Sequence, residues 1–547
     1  MVLTLNGLSL YMYKVFLRQV LAIPTLALSL VALQGCATYG SSITQVRTDV
    51  SSSDFVAAEE SLEKAIKPFG DDQLLYFLES GMLAHLQGRY VDSNNLLEQA
   101  YRLIDPINNV ALSDRLKAIA FSPRASTYMG NNFERSMVGF IKLLNYMNLA
   151  NQAESDSERT ELLGGARVES RRIRIALDVS ENEASEKNGP ATKNVREMDR
   201  LVSDMMGDQT RVPIAQSSVP LLDLITSYIY EMLDESDDAR IARARSTQGY
   251  QQGLTHSPQY PEHLVSWSSS DEDSGELILV QLAGLIPEQK ELSFFAGLGG
   301  GSGLYFSNDY DTESDSDEGI WFNSVLSGPT GYQVWLNHQS GNEKYRGRPR
   351  NKVYFNQVSP GYFESESPLL NVLLQGFRVA LSYYPSSSYQ LDSESSIIWH
   401  QEETDTNLGL SLARKVANDH AAQAWKELFL AFARELFQQL LAEQVYQVTN
   451  DSDSQLVSLL GVVGKVGAFA GTQADTRSWL TLPREVRIAR IKLPAGQHTL
   501  SVQTTFRYSG YDKRQEISVD ITPGKISFVS LYTADGPSLN SRTEMTP

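Results

Sequence analysis

The chain opens with two basic residues, Lys14 and Arg18, ahead of an almost wholly apolar run from Val20 to Leu33. That run is shorter than the roughly 20 apolar residues a spanning helix needs and ends in small residues, so it predicts an export signal. From Cys36 to Ser53 the chain is Ser/Thr-rich and weakly patterned, which predicts a tether. Apolar positions at helical spacing follow to about residue 250. Phe77, Gly81, Ala84, Gly88-Arg89-Tyr90, Leu97 and Ala100, closed by Asp105-Pro106, predict two helices turned at Gly88, with small residues at their crossing. Phe133–Leu149 with Ala166–Ala176 form a second pair, separated by a polar insertion from Glu154 to Glu161. Leu221–Met232 with Asp237–Ser246 form a third, and Ser180–Thr192 reads as a loop.

After about residue 255 the period shortens. Leu277–Leu282, Val353-Tyr354-Phe355 and Phe377–Tyr384 predict strands, in a segment rich in Ser, Gly, Tyr and Asp. Leu408–Tyr446 carries Trp425, Leu428, Phe429, Phe432, Leu436 and Leu440 on one face, the pattern of a long amphipathic helix. Thr499–Phe506, Ile517–Ile521 and Ile526–Tyr532 alternate with Pro/Gly turns and predict a small β-sandwich-like unit. The first helical pair has tetratricopeptide spacing, with Ser93 where alanine is usual. The expected fold class is therefore a multidomain α+β chain with three parts. These are a tetratricopeptide-like helical-repeat domain, a mixed α/β region and a C-terminal β-sandwich-like unit. The expected boundaries are signal 1–35, tether 36–53, helical repeats 54–250, β-rich region with acidic loops 251–405, long helix 406–447, β unit 455–535 and disordered tail 536–547.

Cys36 is the only cysteine, and Leu33-Gln34-Gly35-Cys36 resembles the bacterial lipobox, in which the thiol is acylated and the chain is cut before it. Cys36 is thus the expected lipidation site and the link to the membrane, since acyl chains anchor by burying methylenes at about 0.8 kcal/mol each. Ala37 follows it in place of the Asp that retains many lipoproteins on the inner membrane. The expected location is therefore the outer membrane, facing the periplasm. Loss of the signal removes Lys14 and Arg18 and no acid, taking the formal charge from −19 to −21. So acidic a chain is a poor ligand for nucleic acid. With one cysteine it forms no internal disulfide and no thiolate metal site.

Several blocks resemble a family of uncharacterised tetratricopeptide-containing outer-membrane lipoproteins of Gram-negative bacteria. They are Tyr128-Met129-Gly130-Asn131-Asn132-Phe133-Glu134-Arg135, Leu144-Asn145-Tyr146, Val168-Glu169-Ser170-Arg171-Arg172, Tyr230-Glu231-Met232 with Asp238-Ala239, Gly284-Leu285-Ile286-Pro287 with Lys290, and Ala474-Asp475-Thr476-Arg477-Ser478-Trp479 with Leu482-Pro483 and Pro494-Ala495-Gly496. The acidic insertions near Asp156, Asp271 and Asp309–Glu318 depart from that pattern. Such lipoproteins are often encoded near activators of penicillin-binding proteins, so the resemblance implies an envelope role linked to peptidoglycan synthesis, and it brings no catalytic activity.

Little else in the chain carries a chemical motif. Gly297-Leu298-Gly299-Gly300-Gly301-Ser302-Gly303 lacks the Gly-Lys-Ser/Thr ending of a phosphate loop, and Ser302 stands where a dinucleotide fingerprint needs glycine, so a turning loop is the reading. A calcium loop counted from Asp311 would need Gly and Glu where Ser316 and Asn323 stand, which leaves Asp309–Glu318 as a solvated acidic loop. The seven histidines form no zinc pair; His400 with Glu402 and Glu403 comes nearest. Asp475, Arg477 and Trp479 have two readings: a structural motif tying the β unit down, or a partner-facing site. The functional expectation is a non-enzymatic, cofactor-free scaffold that binds an envelope protein through its repeats. Peptidoglycan or another glycan, met through Tyr508, Tyr511 and Tyr532, and a cell-wall enzyme using paired carboxylates from residues 270–405 are the alternatives.

Overall fold

The structure, a computed structural model, describes residues 39–104, 127–130, 132–182, 219–251, 264, 273–299, 303–307, 317–328, 331–339, 352–355, 368–450 and 473–536. Cys36, Asp271, residues 183–192 and 308–316, and the tail from 537 lie outside that set. The chain divides into two units, Met1–Ser42 and Ile43–Pro547. The second holds the architecture that follows, save the first four residues of the opening helix.

That unit is mixed α+β, with helices first and strands after. Its helical part comprises α1 (Tyr39–Ser51), α2 (Phe55–Ala65), α3 (Gln73–Leu86), α4 (Tyr90–Ile104), α5 (Asn132–Gln152), α6 (Asp156–Asn182), α7 (Pro220–Met232) and α8 (Ser236–Gln251). The expected tether is corrected by α1. Ile43, Val46 and Val50 recur at helical spacing and are fully buried. Between them, Arg47 donates to the Leu480 carbonyl at 2.7 Å and pairs with Glu288 at 2.9 Å. Three apolar residues on one face outweigh a polar composition. The insertion at 154–161 is also mostly helix: α6 begins at Asp156, where Asp156 and Glu158 complement the positive N-terminal end of the helix dipole.

The helices pack as α3 on α4, α5 on α6 and α7 on α8. Gly88, with φ at +73°, makes the first turn. Gly81 lies so close to α4 that a Cβ there would sit 2.6 Å from the Leu97 side chain. At the same crossing the Ser93 hydroxyl donates to the Gly81 carbonyl at 2.7 Å, so the serine in alanine's usual place ties the two helices together.

The remaining elements are β1 (Ser274–Leu285), β2 (Lys290–Gly299), β3 (Gly303–Ser307), α9 (Asp317–Val325), α10 (Gly331–Gln339), β4 (Lys352–Phe355), α11 (Pro368–Gln375), β5 (Phe377–Tyr383), β6 (Ser393–Trp399), β7 (Glu402–Asp405), β8 (Asn407–Ser411), α12 (Leu412–Asn450), β9 (Pro483–Pro494), β10 (Gly496–Phe506), β11 (Tyr511–Ile521) and β12 (Ile526–Thr533). They form three sheets ordered β12-β1-β9-β8, β11-β10-β6-β7 and β4-β3-β2-β5. The strands at 483–533 therefore do not pair only with one another. β9 and β12 flank β1, and β10 lies beside β6, so segments up to 250 residues apart in sequence share two sheets. Leu277, Leu279, Ala489 and Leu493 of the first sheet share one core with Ile397, Leu500, Val502, Val519 and Ile521 of the second.

The opposite face of the first sheet meets the helices. Arg490 of β9 pairs with Glu276 at 2.6 Å and with Glu231 of α7 at 3.0 Å, its guanidinium 5.2 Å from the Tyr228 ring centre. The third sheet packs on α12 through Phe306, Phe377 and Phe432. The glycine-rich run is partly strand: Gly297 and Gly299 close β2, and Gly299 pairs with Gly303 of β3. At the free edge of β12, Asn148 and Asn151 of α5 accept from the Ser530 and Phe528 amides, both at 3.2 Å. An edge strand otherwise presents unpaired amides to other chains, and here a helix covers it.

Candidate functional site

Residues 473–482 belong to neither a helix nor a sheet, yet most of the stretch is buried. Several of its polar groups are met by side chains from the helical part. Trp479 donates its backbone N–H to Glu134 of α5 at 2.7 Å. The Leu480 and Thr481 amides donate to the two oxygens of Glu79 of α3, at 2.7 and 3.0 Å, and the Thr481 hydroxyl also donates to Glu79. Arg477 grips Asp475 with two nitrogens, at 2.9 and 2.8 Å, and reaches Asp72 at the start of α3 at 2.8 Å. Its guanidinium lies 5.3 Å from the Tyr128 ring centre, and the Tyr128 hydroxyl donates to both oxygens of Glu134 at 2.8 and 2.7 Å.

Glu79 and Glu134 are buried, and bare burial would strongly disfavour their charge. Charge-assisted bonds from main-chain amides offset that cost by about 1.5–3 kcal/mol each. Burial works against the Arg477 charge, but the bonds to Asp475 and Asp72 outweigh it and push its pKa further up. Burial, then the neighbouring Glu134, raises the Tyr128 pKa well above the ordinary phenol range, so its proton stays in place. The two carboxylates thus meet the main-chain amides at 479–481, where the chain turns.

The structure brings Asp475 and Arg477 together as an ion pair and places Trp479 two residues on, with its indole N–H on the Thr481 hydroxyl at 3.2 Å. The Arg477 side chain is 2% exposed and Trp479 is 1% exposed. Neither meets solvent, and through Glu134 the motif is tied to the helical part. Asp72, Glu79 and Arg47 carry the other half of the site, and no sequence motif marked them. The one available signal was Glu79 itself, a carboxylate inside the apolar run Leu74, Leu75, Leu78, Met82, Leu83.

Two other clusters bear on catalysis. Glu485 is buried, and it accepts from the Asp392 amide at 2.7 Å, the Ser393 amide at 3.2 Å and the Ser393 hydroxyl at 2.5 Å. Burial raises the pKa of the neighbouring Asp392, which accepts from the Tyr508 amide at 2.8 Å. This carboxylate pair joins the 270–405 region to β9, and its donors come from the fold itself. The second cluster pairs Ser382 Oγ with His420 Nε2 at 2.9 Å. Burial lowers the His420 pKa to about 4, and among the described residues its Nδ1 has no hydrogen-bond partner. So weak a base takes a serine proton poorly at neutral pH, and among the described residues no carboxylate orients it as in a hydrolytic triad. Among the described residues no three His, Cys, Asp or Glu side chains are grouped as metal ligands would be. No described helix is long and apolar enough to cross a membrane.

No protein-family model matches this chain, and neither the curated proteins nor the solved structures contain a match.

Proposed function

We propose that the chain is a lipid-anchored, non-enzymatic scaffold of the cell envelope, acylated at Cys36 and facing the periplasm from the outer membrane. On this reading the helical pairs are tetratricopeptide-type repeats and the two sheets sharing a core are a β-sandwich. One observation carries the scaffold role: the second helix of each pair leaves large apolar side chains in solvent. Val91 of α4 is 59% exposed, Val168 and Ile175 of α6 are 47% and 61%, and Ile241 of α8 is 42%. Exposed apolar side chains recurring along stacked helices favour a protein partner. By sequence only Ala37 and Thr38 separate Cys36 from α1, so a partner within the membrane or at its surface fits better than a distant one.

Photo-crosslinkers at Val168, Ile175 and Ile241 of the full chain in cells should capture a discrete envelope protein, whereas one at exposed Glu402 should not. Labelled palmitate should enter the wild type and not Cys36→Ser. Equal capture at all four positions would remove the scaffold reading, and palmitate-free wild type would remove the anchor. Tyr508 favours a glycan-binding alternative: the residue is 41% exposed and its ring centre lies 5.2 Å from the Arg484 guanidinium, whereas Tyr532 packs edge-on against Phe55. Co-sedimentation with isolated peptidoglycan, lost in Tyr508→Ala, would favour it.

A further inference from the structure

We infer that the second halves of α6 and α8 form a docking surface for an acidic amphipathic helix of another envelope protein. The inference rests on the scaffold reading and gives its partner a chemistry. Three observations lead there. First, cations crowd these halves although the whole chain stands at −19. Residues 162–175 hold four arginines against one acid, Glu169, and residues 239–251 hold three arginines and no acid. Second, part of that charge is left over. Arg174 of α6 and Arg245 of α8 both donate to one oxygen of Asp223 on α7, at 2.6 and 3.3 Å, so two guanidiniums share one carboxylate. Their side chains are 40% and 38% exposed, and Arg245 uses only its Nε in that bond. Arg171, a turn before Arg174, is exposed and has no ion-pair partner among the described residues. A guanidinium held on one side presents its remaining N–H groups as a fixed fork, which suits a second carboxylate. Third, the cations stand among exposed apolar side chains. Val168, Arg171 and Ile175 fall at i, i+3 and i+7 on one face of α6, and Ile241 lies one turn before Arg245 on α8.

The placement of charge selects the occupant. Asp223 lies between the two helices, and Arg167 of α6 also pairs with Glu235 just ahead of α8. Each helix carries exposed acids in its first two turns, Glu158 and Glu161 on α6 and Asp237 and Asp238 on α8. A flat anionic bilayer laid over both helices would meet those acids as well as the arginines. A single segment lying across the second halves meets the arginines alone. A helix with carboxylates beside an apolar stripe offers the guanidiniums their missing acceptors and covers Val168, Ile175 and Ile241 at the same time.

The test uses two fluorescein-labelled synthetic helices, titrated into the full chain with Cys36→Ser and followed by anisotropy. Both carry leucines along one face; the flanking positions are glutamate in one and lysine in the other. The glutamate peptide should bind saturably and about tenfold tighter than the lysine peptide, and added salt should erode that preference. Arg171→Glu, at an exposed and unpaired position, should keep the wild-type circular dichroism and abolish or reverse the preference. If it does not fold, Arg171→Gln takes its place and should cut the preference to less than threefold. Ile175→Ser should weaken the glutamate peptide as well. No saturable binding of the glutamate peptide, equal binding of the two, or a preference that Arg171→Glu leaves unchanged would overturn the inference. Discrete crosslinking at Val168 and Ile175 alongside any of these would leave the scaffold reading standing without it. Binding to phosphatidylglycerol vesicles that Arg171→Glu abolishes, or wild-type dimers that it separates in light scattering, would overturn the choice of occupant.

Discussion

His85 shows at one residue how this fold handles ionisable groups. It is buried on α3, its Nδ1 lies 2.6 Å from the Asn145 amide oxygen, and its ring packs against Tyr90. Burial lowers its pKa to about 4, although the bond to Asn145 works the other way. The unfolded chain, with an ordinary histidine near 6.5, binds a proton that the folded chain refuses between those values. Above pH 6.5 the histidine is neutral in both states and has no effect; as pH falls from 6.5 toward 4 it removes stability. At about 1.4 kcal/mol per pKa unit the loss is of the order of 3 kcal/mol. Thermal midpoints of the wild type and His85→Gln, measured from pH 7.5 to 4, should converge on acidification. Parallel curves would mean that His85 is not held neutral.

Among elements, the regularity of apolar spacing decides which are legible in the sequence. The α3–α4 pair was legible because Phe77, Gly81, Leu97 and Ala100 repeat at helical spacing on both sides of Gly88, and α7 was legible from Leu221, Leu222, Ile225, Tyr228, Ile229 and Met232. α1 was not, since its three buried residues are diluted by serine and threonine. Nor were β2 and β3, whose glycines provide no alternation to read. The 473–482 site was half legible: Asp475, Arg477 and Trp479 form a local motif, but Asp72, Glu79 and Glu134 lie 345 to 405 residues from the groups they meet. The crossing itself can be tested. Gly81→Ala should lower stability by about 1–3 kcal/mol, because its Cβ overlaps Leu97, and Leu97→Val should recover part of that loss in the double variant. Additive effects in urea unfolding would place the cost elsewhere.

For the whole second unit, strand order matters more than sequence order. β9 is inserted between β1 and β8, in register with β1 from Ser274↔Pro494 to Leu285↔Pro483, and β12 joins the other side of β1 in parallel. The C-terminal segment therefore closes the core that Leu277 and Leu279 begin, and the 474–481 stretch just ahead of it is held by α3 and α5. A chain ending at residue 472 would leave β1 with both edges unpaired and Glu79 and Glu134 without their amide donors. Both defects favour aggregation over a smaller folded domain. The chain truncated at 472, with Cys36→Ser, should be insoluble or lack a cooperative thermal transition. Co-expression with residues 473–547 as a separate polypeptide should restore a soluble, cooperatively melting complex. A truncated chain that melts cooperatively by itself would mean that the helical part is an independent domain, and that the carboxylates on α3 and α5 tolerate water in place of the segment.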